Sequence, residues 1–366
     1  MRFRPDSWGT DPPKWSRRQF LQLAASAAFT LLLPGCDRPH QKQVVKPPSG
    51  WTDTARYRKE PPWRLGRSGR GDVNPWMVMF SAHIEYAAVE EYRDHFAFYG
   101  TTSANWDPNK QIEDIQDLLA QGIDLLLMDP MDTAVVARGV QQAMDAGIPV
   151  ILASSHVADT SYVSWLAQSE ERRGAKCVDW LVQESAANQT LVLANVPASG
   201  ANELWLTGVR QQLDSYPNVS ARIESCRWSS EGAWEVTAAV LDNGVSFDGI
   251  IVRDGLTARG VVEAFVERGL ALPPIAGADD WNGWLRTAEK HHVEFLALAG
   301  GANLGLHAVE LAVQVLSGHD VPAYATLPLQ VFDHTELNRY YRPDLSEHYW
   351  AVHELPEAWI ERMFRP

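Results

Sequence analysis

Short apolar runs alternate with amphipathic stretches over much of the chain. Residues 111–121 have apolar side chains at helical spacing, residues 123–128 form an apolar run, and the same two patterns return at 133–146 and 148–152. Apolar positions every three or four residues predict a helix, and a short continuous apolar run predicts a strand buried on both faces. The order helix, strand, helix, strand therefore predicts a parallel sheet with helices on its faces.

The same alternation continues further along the chain. Helices are predicted at 174–184, 204–213, 232–241, 257–269 and 304–316, and strands at 190–195, 219–226, 249–252 and 274–277. These are too many strands for one compact sheet around a single core, and the chain has no repeat of about 20 to 50 residues that would indicate a solenoid. We therefore predict an α/β protein of two doubly wound parallel-sheet domains. Such sheets bind ligands outside the carboxyl ends of their strands, so two facing domains would form a cleft.

The first 36 residues have the pattern of an export signal. Basic residues precede the uncharged apolar run 23–33, which is too short for a stop-transfer helix. Residues 16–21 resemble the twin-arginine signal, and Leu33-Pro34-Gly35-Cys36 resembles a bacterial lipobox. We expect cleavage before Cys36 and acylation of its thiol, which would make the protein periplasmic or extracytoplasmic and anchor it to the membrane by lipid alone. A buried amphipathic helix with a chance cysteine is the alternative.

Charge and composition argue against nucleic acid as a partner. The 366 residues include 32 Lys and Arg against 46 Asp and Glu, a formal net charge of −14, and 45% of them are hydrophobic. This is the composition of a globular protein, and the chain lacks the excess of basic residues that neutralises phosphates, so no nucleic-acid partner is expected.

Residues 37–62 are polar and rich in proline, which predicts a flexible tether between the anchor and the folded part.

Catalytic and metal-binding patterns are missing from the sequence. It has no Cys-x-x-Cys, no Gly-x-Ser-x-Gly and no His-x-x-x-His with a nearby Glu, so we expect no enzyme activity, no metal and no cofactor. The glycine-rich residues 66–71 lack the spacing of a dinucleotide loop and predict a flexible turn. Beyond the lipobox the chain has only Cys177 and Cys226. An oxidising compartment would permit a disulfide between them, and two buried thiols are the alternative.

Several blocks of sequence resemble the periplasmic sugar-binding proteins of the ribose-binding type. Residues 107–111, 117–124, 129–132 and 146–150 are similar to the first domain of that family, in sequence and in spacing. Further similarities are Asn74-Pro75-Trp76 to the loop after the first strand, 277–280 to a Gly-Phe-Asp-Gly loop, and 304–310 to the last major helix. The resemblance runs from about residue 63 to 329 and implies a type 1 periplasmic binding protein fold, two Rossmann-like lobes joined by a hinge.

The resemblance also implies how the lobes divide the chain. The N-terminal lobe would take residues 63–165 and about 300–328, and the C-terminal lobe 166–299 and about 329–366. The last forty residues look like a tail found on some members of the group, and their aromatic side chains are expected to pack across the second lobe.

The ligand of this family lies between the lobes. The positions that match its binding residues are, in this chain, Asn74, Trp76, Ser154, Ser155, Asn202, Glu203, Asp254, Asp279 and, close by in sequence, Trp281. An indole offers a broad face to sugar C–H groups or to a cation, and carboxylates accept hydrogen bonds from paired hydroxyls. Alternatives remain open, because the tryptophans could be core side chains and the aspartates helix N-caps.

Two departures from the family bear on the ligand. Ser154 and Ser155 stand where sugar binders carry an Asp-Arg pair, and Glu203 stands where they carry an arginine. With both arginine positions lost, we expect no anionic sugar acid or phosphate. A neutral sugar or polyol is expected, or a cation held against Trp76.

The sequence therefore predicts a solute-binding protein that closes on a small polar ligand and delivers it to an ABC permease. The alternative is a sensory subunit of the same fold that acts on a membrane histidine kinase. Both bind without turnover and differ only in the partner that recognises the closed form.

Overall fold

The structure is a computed structural model that describes residues 49–365 except 73, 132–133, 159 and 195–199. The predicted signal segment, Cys36 and the first part of the predicted tether lie outside these described residues. Within them, no helix combines the length and the apolar content needed to cross a membrane.

The first sheet contains six strands that are parallel throughout. They are β2 (Trp63–Gly69), β3 (Phe96–Ser103), β4 (Leu125–Met128), β5 (Val150–Ala153), β6 (Ser164–Ala167) and β13 (Tyr324–Thr326), in the spatial order β13-β6-β5-β4-β2-β3. Every residue of β4 and β5 is buried, as the continuous apolar runs predict, and every residue of β6, which was not predicted, is buried as well.

Helices cover both faces of this sheet. They are α1 (Pro75–Tyr86), α2 (Pro108–Ala120), α3 (Ala137–Asp145) and α9 (Leu304–Leu316). Successive residues of β4 point to opposite faces: Leu125 and Leu127 pack with α1 and α9, while Leu126 and Met128 pack with α2 and α3. This arrangement explains why β4 is apolar at every position.

The second sheet repeats the arrangement. Its strands are β7 (Gln189–Ala194), β8 (Ser220–Ser225), β9 (Gly249–Ile251), β10 (Ile275–Ala278), β11 (Phe295–Leu298) and β14 (Val331–Asp333), in the order β14-β11-β10-β9-β7-β8. Only β14 runs antiparallel to its neighbour. The helices are α4 (Glu170–Gln183) and α5 (Gly200–Leu213) on one face, and α6 (Ser230–Asp242), α7 (Gly255–Glu267) and α8 (Asn282–His291) on the other. The prediction of two doubly wound α/β units is confirmed.

Within the described residues, the chain crosses between the two sheets three times, at residues 168–169, 299–303 and 327–330. These segments, together with Arg173, His307 and residues 352 and 354, line a cavity of about 400 Å³. Several chain segments that cross side by side between two lobes are the arrangement expected of a hinge, because a change in the φ and ψ angles of a few connecting residues can rotate one lobe against the other.

Two sequence predictions about loops are wrong. The glycine-rich residues 66–71 are not a flexible turn, because 66–69 belong to the buried strand β2. A Cβ atom at Gly66 would lie 2.7 Å from the Ile123 Cδ1, so that glycine reflects close packing. The predicted tether also ends earlier than residue 62. Strand β1 (Trp51–Thr52) pairs with β12 (Val321–Pro322), and Tyr57 is buried against the first lobe.

The C-terminal tail contacts both lobes. It contains α10 (Leu337–Tyr340) and α11 (Glu357–Phe364), and its Trp350 and Trp359 share a core cluster with the α8 residue Trp284. It also reaches the first lobe, where the rings of Tyr86 and Trp359 lie 5.4 Å apart, edge to face. The Glu354 carboxylate accepts a hydrogen bond from the Asn303 side chain at 2.7 Å.

The two cysteines are not joined by a disulfide. Cys177 lies in the core between the second sheet and α4, and Cys226 in the core on the opposite face. Burial raises the pKa of each thiol to about 12, so both stay protonated at neutral pH. The structure thus favours the alternative of two buried thiols.

Candidate ligand site

The carboxyl ends of three neighbouring strands bring polar side chains together on the first lobe. Arg70 follows β2, Asp129 follows β4, and Ser154 and Ser155 follow β5. Arg70 Nε donates to Asp129 Oδ2 at 3.0 Å, and Arg70 Nη2 lies 3.5 Å from Ser154 Oγ and 3.4 Å from Ser155 Oγ. The edge formed by these strand ends is where doubly wound sheets bind ligands.

Both serines lie where the sequence predicted, and the structure adds an arginine beside them. Ser154 has a left-handed backbone (φ 70°), and its carbonyl accepts a hydrogen bond from the Trp165 indole at 3.2 Å. Arg70 brings an arginine to this wall from another strand, although neither position where the family carries its arginine holds one in this chain. The sequence signal for Arg70 is its place within the glycine-rich residues 66–71, a pattern that predicts a turn.

Asn74 and Trp76 begin α1, the helix that follows β2. Asn74 is the N-cap residue, since its Oδ1 accepts from the Met77 backbone N–H at 2.9 Å. Trp76 stacks on Phe80 with ring centroids 5.0 Å apart, and its indole N–H donates to the Gly300 carbonyl at 2.6 Å. Trp76 is partly exposed and packs against both core clusters, so it lies next to the second crossing between the sheets.

Asp254 lies at the carboxyl end of β9 on the second lobe. It is the N-cap of α7, with Oδ1 accepting from the Thr257 N–H at 2.8 Å, and Oδ2 accepts from the Trp228 indole at 2.5 Å. Trp228 is 39% exposed, and the guanidinium of Arg253 lies 5.1 Å from the centre of its ring. The sequence analysis missed Trp228, although its place just after a predicted strand is like that of Trp76.

Asp279 follows β10 and is buried. Its Oδ1 accepts from the Trp281 N–H at 3.2 Å, and it also accepts from the Gly255 N–H. Burial, and after it the neighbouring charges of Asp254 and Asp280, raise the pKa of Asp279 to about 8. This carboxyl group is therefore mostly protonated at neutral pH.

Trp281 has the surroundings of a core side chain. It is 3% exposed and packs with Trp284 in the core of the second lobe, and its indole nitrogen has no hydrogen-bond partner among the described residues. These surroundings favour the core alternative for Trp281 over a contact with ligand.

Asn202 and Glu203 lie in the first turn of α5, which follows β7 in the chain. Asn202 is buried, whereas Glu203 is partly exposed and its carbonyl accepts from the Thr207 hydroxyl at 2.8 Å. The segment between β7 and α5, residues 195–199, lies outside the described residues. None of the nine predicted residues lines the cavity at the three crossings, so the predicted site and that cavity are different places.

Comparisons with known proteins agree with this architecture. The profile of a periplasmic binding protein domain matches residues 69–320. The ribose import binding protein of Bacillus subtilis is 22% identical over 316 residues, which is 85% of this chain and 99% of that protein. A xylitol-binding protein of Mycolicibacterium smegmatis is 21% identical over 60% of this chain and 64% of its own length.

A similar solved structure is that of a Caulobacter myo-inositol binding protein bound to myo-inositol. It has a TM-score of 0.67 and 20% identity, and the match covers 77% of this chain and 97% of that one. At this identity the structural likeness concerns the fold. Together with the domain profile, it confirms the resemblance found in the sequence blocks.

Proposed function

The chain belongs to the periplasmic binding protein family, and from this premise we propose that it captures a neutral sugar or polyol between its two lobes for an ABC importer. The observation that carries the proposal is the polar cluster at the carboxyl ends of β2, β4 and β5 in a fold with three crossings between lobes. Ligand contacts that only the closed arrangement can make would stabilise closure.

The ligand class is supported from two directions. Relatives are named for ribose and xylitol, and a structural neighbour holds myo-inositol, all of them uncharged polyhydroxyl compounds. In this chain, the raised pKa of Asp279 keeps that carboxyl largely neutral at pH 7, which removes one of the negative charges that a cationic ligand would need. A protonated carboxyl can instead donate to a hydroxyl oxygen and accept from another.

The proposed contact residues are the predicted positions other than Trp281. On the first lobe they are Trp76, Ser154 and Ser155, with Asn74 shaping the turn that presents the indole. On the second lobe they are Asp254 and Asp279, with Asn202 and Glu203 at the start of α5. We further propose that the protein is extracytoplasmic and anchored through lipid at Cys36.

A ligand screen tests the function. Purified protein is heated with ribose, xylose, arabinose, xylitol and myo-inositol, and with putrescine and choline as cationic compounds. One neutral compound should raise the thermal midpoint, because a ligand at a hundred times its Kd stabilises the folded state by about 2.7 kcal/mol. A shift with the cations alone would contradict the proposed ligand class.

The importer partner is tested in cells. Deleting the gene should abolish uptake of the labelled ligand identified in the screen, and the Cys36→Ser variant should move from the membrane to the soluble fraction. Normal uptake, combined with loss of a transcriptional response to that ligand, would favour the sensory alternative instead.

A further inference from the structure

The cavity of about 400 Å³ at the three crossings is separate from the predicted cleft residues, none of which lines it. One water molecule takes up about 30 Å³ of the liquid, so the cavity has room for a small organic molecule. Leu327, Pro328 and Leu329 of the third crossing and Val352 of the tail give part of its lining an apolar character. This part of the cavity suits an occupant with an apolar group.

Two polar side chains of the lining have buried nitrogen atoms without a partner. Arg173, in α4, is 5% exposed, and its Nη1 donates to the Ala299 carbonyl at 2.5 Å, whereas its Nε has no hydrogen-bond partner among the described residues. Nε2 of Gln168, in the first crossing, is likewise buried with no partner in the described part of the chain. Buried donors of this kind call for an acceptor from water or from a ligand.

Arg173 shares the carboxylate of its ion pair with a second arginine. Glu170 Oε2 lies 3.7 Å from Arg173 Nε, and Glu170 Oε1 accepts from Arg253 Nη2 at 2.6 Å. The Asp280 carboxyl also interacts with Arg173, but the hydrogen bonds that it accepts from the described residues come from backbone N–H groups. A guanidinium carries five N–H donors and can bind both oxygens of a carboxylate. Arg173 is therefore suited to bind the carboxylate of another molecule.

Glu354, in the tail, gives the lining of the same cavity a negative charge. Its Oε1 accepts from the Asn303 side chain at 2.7 Å and lies 2.9 Å from His307 Nε2. Burial acts to raise the pKa of Glu354, but the hydrogen bond from Asn303 and the nearby His307 outweigh it and lower the pKa. The carboxylate is therefore ionised at neutral pH. Within the described residues its hydrogen bonds go to Oε1, which leaves Oε2 able to accept from another molecule.

We infer that this cavity is a second ligand site, which takes an α-amino acid with an apolar side chain. The carboxylate of the amino acid accepts from Arg173 and Gln168, its ammonium group donates to Glu354, and its side chain lies against residues 327–329. A zwitterion fits because opposite charges line one cavity, whereas a ligand with a single charge leaves either Arg173 or Glu354 without a partner. The inference goes beyond the proposed function, since both the place and the ligand are different.

Calorimetric titration with leucine, isocaproate and isoamylamine tests the site on the wild-type protein. Isocaproate is leucine without its amino group, and isoamylamine is leucine without its carboxyl group, so the three compounds share one apolar chain. Leucine should bind. Each of the other two should bind about 10- to 100-fold more weakly, because each lacks one of the two charged groups that form hydrogen bonds in the cavity.

Two variants assign the charged ends of the ligand. Glu354→Gln should weaken leucine binding about 10-fold and should not weaken isocaproate binding, because isocaproate lacks the group that contacts Glu354. Glu310→Gln is the matched control and should change neither affinity, since Glu310 lies 3.3 Å from the same histidine, His307, but does not line the cavity. Arg173→Lys keeps the positive charge but loses the planar fork, so it should weaken the binding of both compounds.

The thermal midpoint of each unliganded variant shows whether it is folded. Glutamine at position 354 keeps an oxygen that can accept from Asn303, so Glu354→Gln should fold and decides the matter even if Arg173→Lys does not fold. Leucine binding that Glu354→Gln weakens selectively supports the inference. Absence of leucine binding to the wild type overturns the site, as does leucine binding that neither variant weakens. Both outcomes leave the proposed function standing, because it concerns neutral compounds in the cleft. Equal binding of leucine and isocaproate overturns the role of Glu354 and the zwitterionic ligand.

Discussion

Replacing Asp279 by asparagine should remove a large pH dependence from the stability of this protein. The side chain lies at the end of β10, buried beside Asp254 and Asp280, and burial followed by these two charges raises its pKa to about 8 from an ordinary 3.8. Asparagine has nearly the same shape and keeps an oxygen that can accept from the Trp281 N–H. The change therefore removes ionisation with little change in packing.

The direction of this pH dependence follows from whether the folded or the unfolded state binds the proton of Asp279 more tightly. Because the folded-state pKa is raised, the stabilisation by the protonated carboxyl is complete below about pH 4 and is lost as the pH rises through 8. Over that window the wild-type free energy of unfolding should fall by slightly more than 1 kcal/mol per pH unit, about 6 kcal/mol in all, relative to Asp279→Asn. The variant should be the more stable protein at pH 8.

Urea denaturation at half-unit steps from pH 4 to 8.5 measures this difference. Asp94→Asn is the matched control, because the Asp94 side chain is 91% exposed and should follow the wild type at every pH. Parallel wild-type and Asp279→Asn curves would refute the reasoning, since they would mean that Asp279 titrates alike in the folded and unfolded chains.

Two further substitutions test the packing that holds the lobes and the tail. Gly260→Ala should lower the free energy of unfolding in urea by at least about 2 kcal/mol, because its Cβ would lie 2.0 Å from the Ser230 carbonyl oxygen and force α6 from α7. Gly139→Ala should be tolerated better, since the one contact of its Cβ under 3 Å is with the flexible end of Ile115, and equal effects of the two substitutions would contradict this. Trp359→Ala should lower the free energy of unfolding by about 3 to 5 kcal/mol, because it leaves a cavity where the tail contacts both lobes. Trp51→Ala is the control and should lower it far less, because the Trp51 side chain is 72% exposed. Unfolding of the tail alone, with no effect on the rest of the protein, would refute the estimate.

Periodicity predicted the helices whose two sides differ in polarity. The predicted 304–316 helix agrees with α9, and 111–121 agrees with α2 to within three residues. Helix α1 was not predicted from periodicity, because it lacks a single apolar stripe. Phe80 packs into the first-lobe core, whereas Met79 belongs to the cluster formed by the second lobe and the tail. A helix buried on several sides has no amphipathic signal.

The candidate site was predicted less completely than the fold. Ser154 and Ser155 were located by their place after a strand, but their partner Arg70 lies 84 residues from Ser154 in the chain and meets it only because β2, β4 and β5 are adjacent. Trp281 was assigned to the cleft by its proximity to Asp279 in sequence, and the turn into α8 carries it into the core instead.

The amino-acid sequence by itself determined the fold class, the acidic character and the family to which this protein belongs, because polarity patterns and motif spacing are properties of consecutive residues. Strand order, burial and the end of the tether were decided only by the tertiary structure. The charge balance around Arg70 and the protonation of Asp279 depend on groups that come together in space from separate strands. Their chemistry therefore follows from packing and desolvation, which no local stretch of sequence contains.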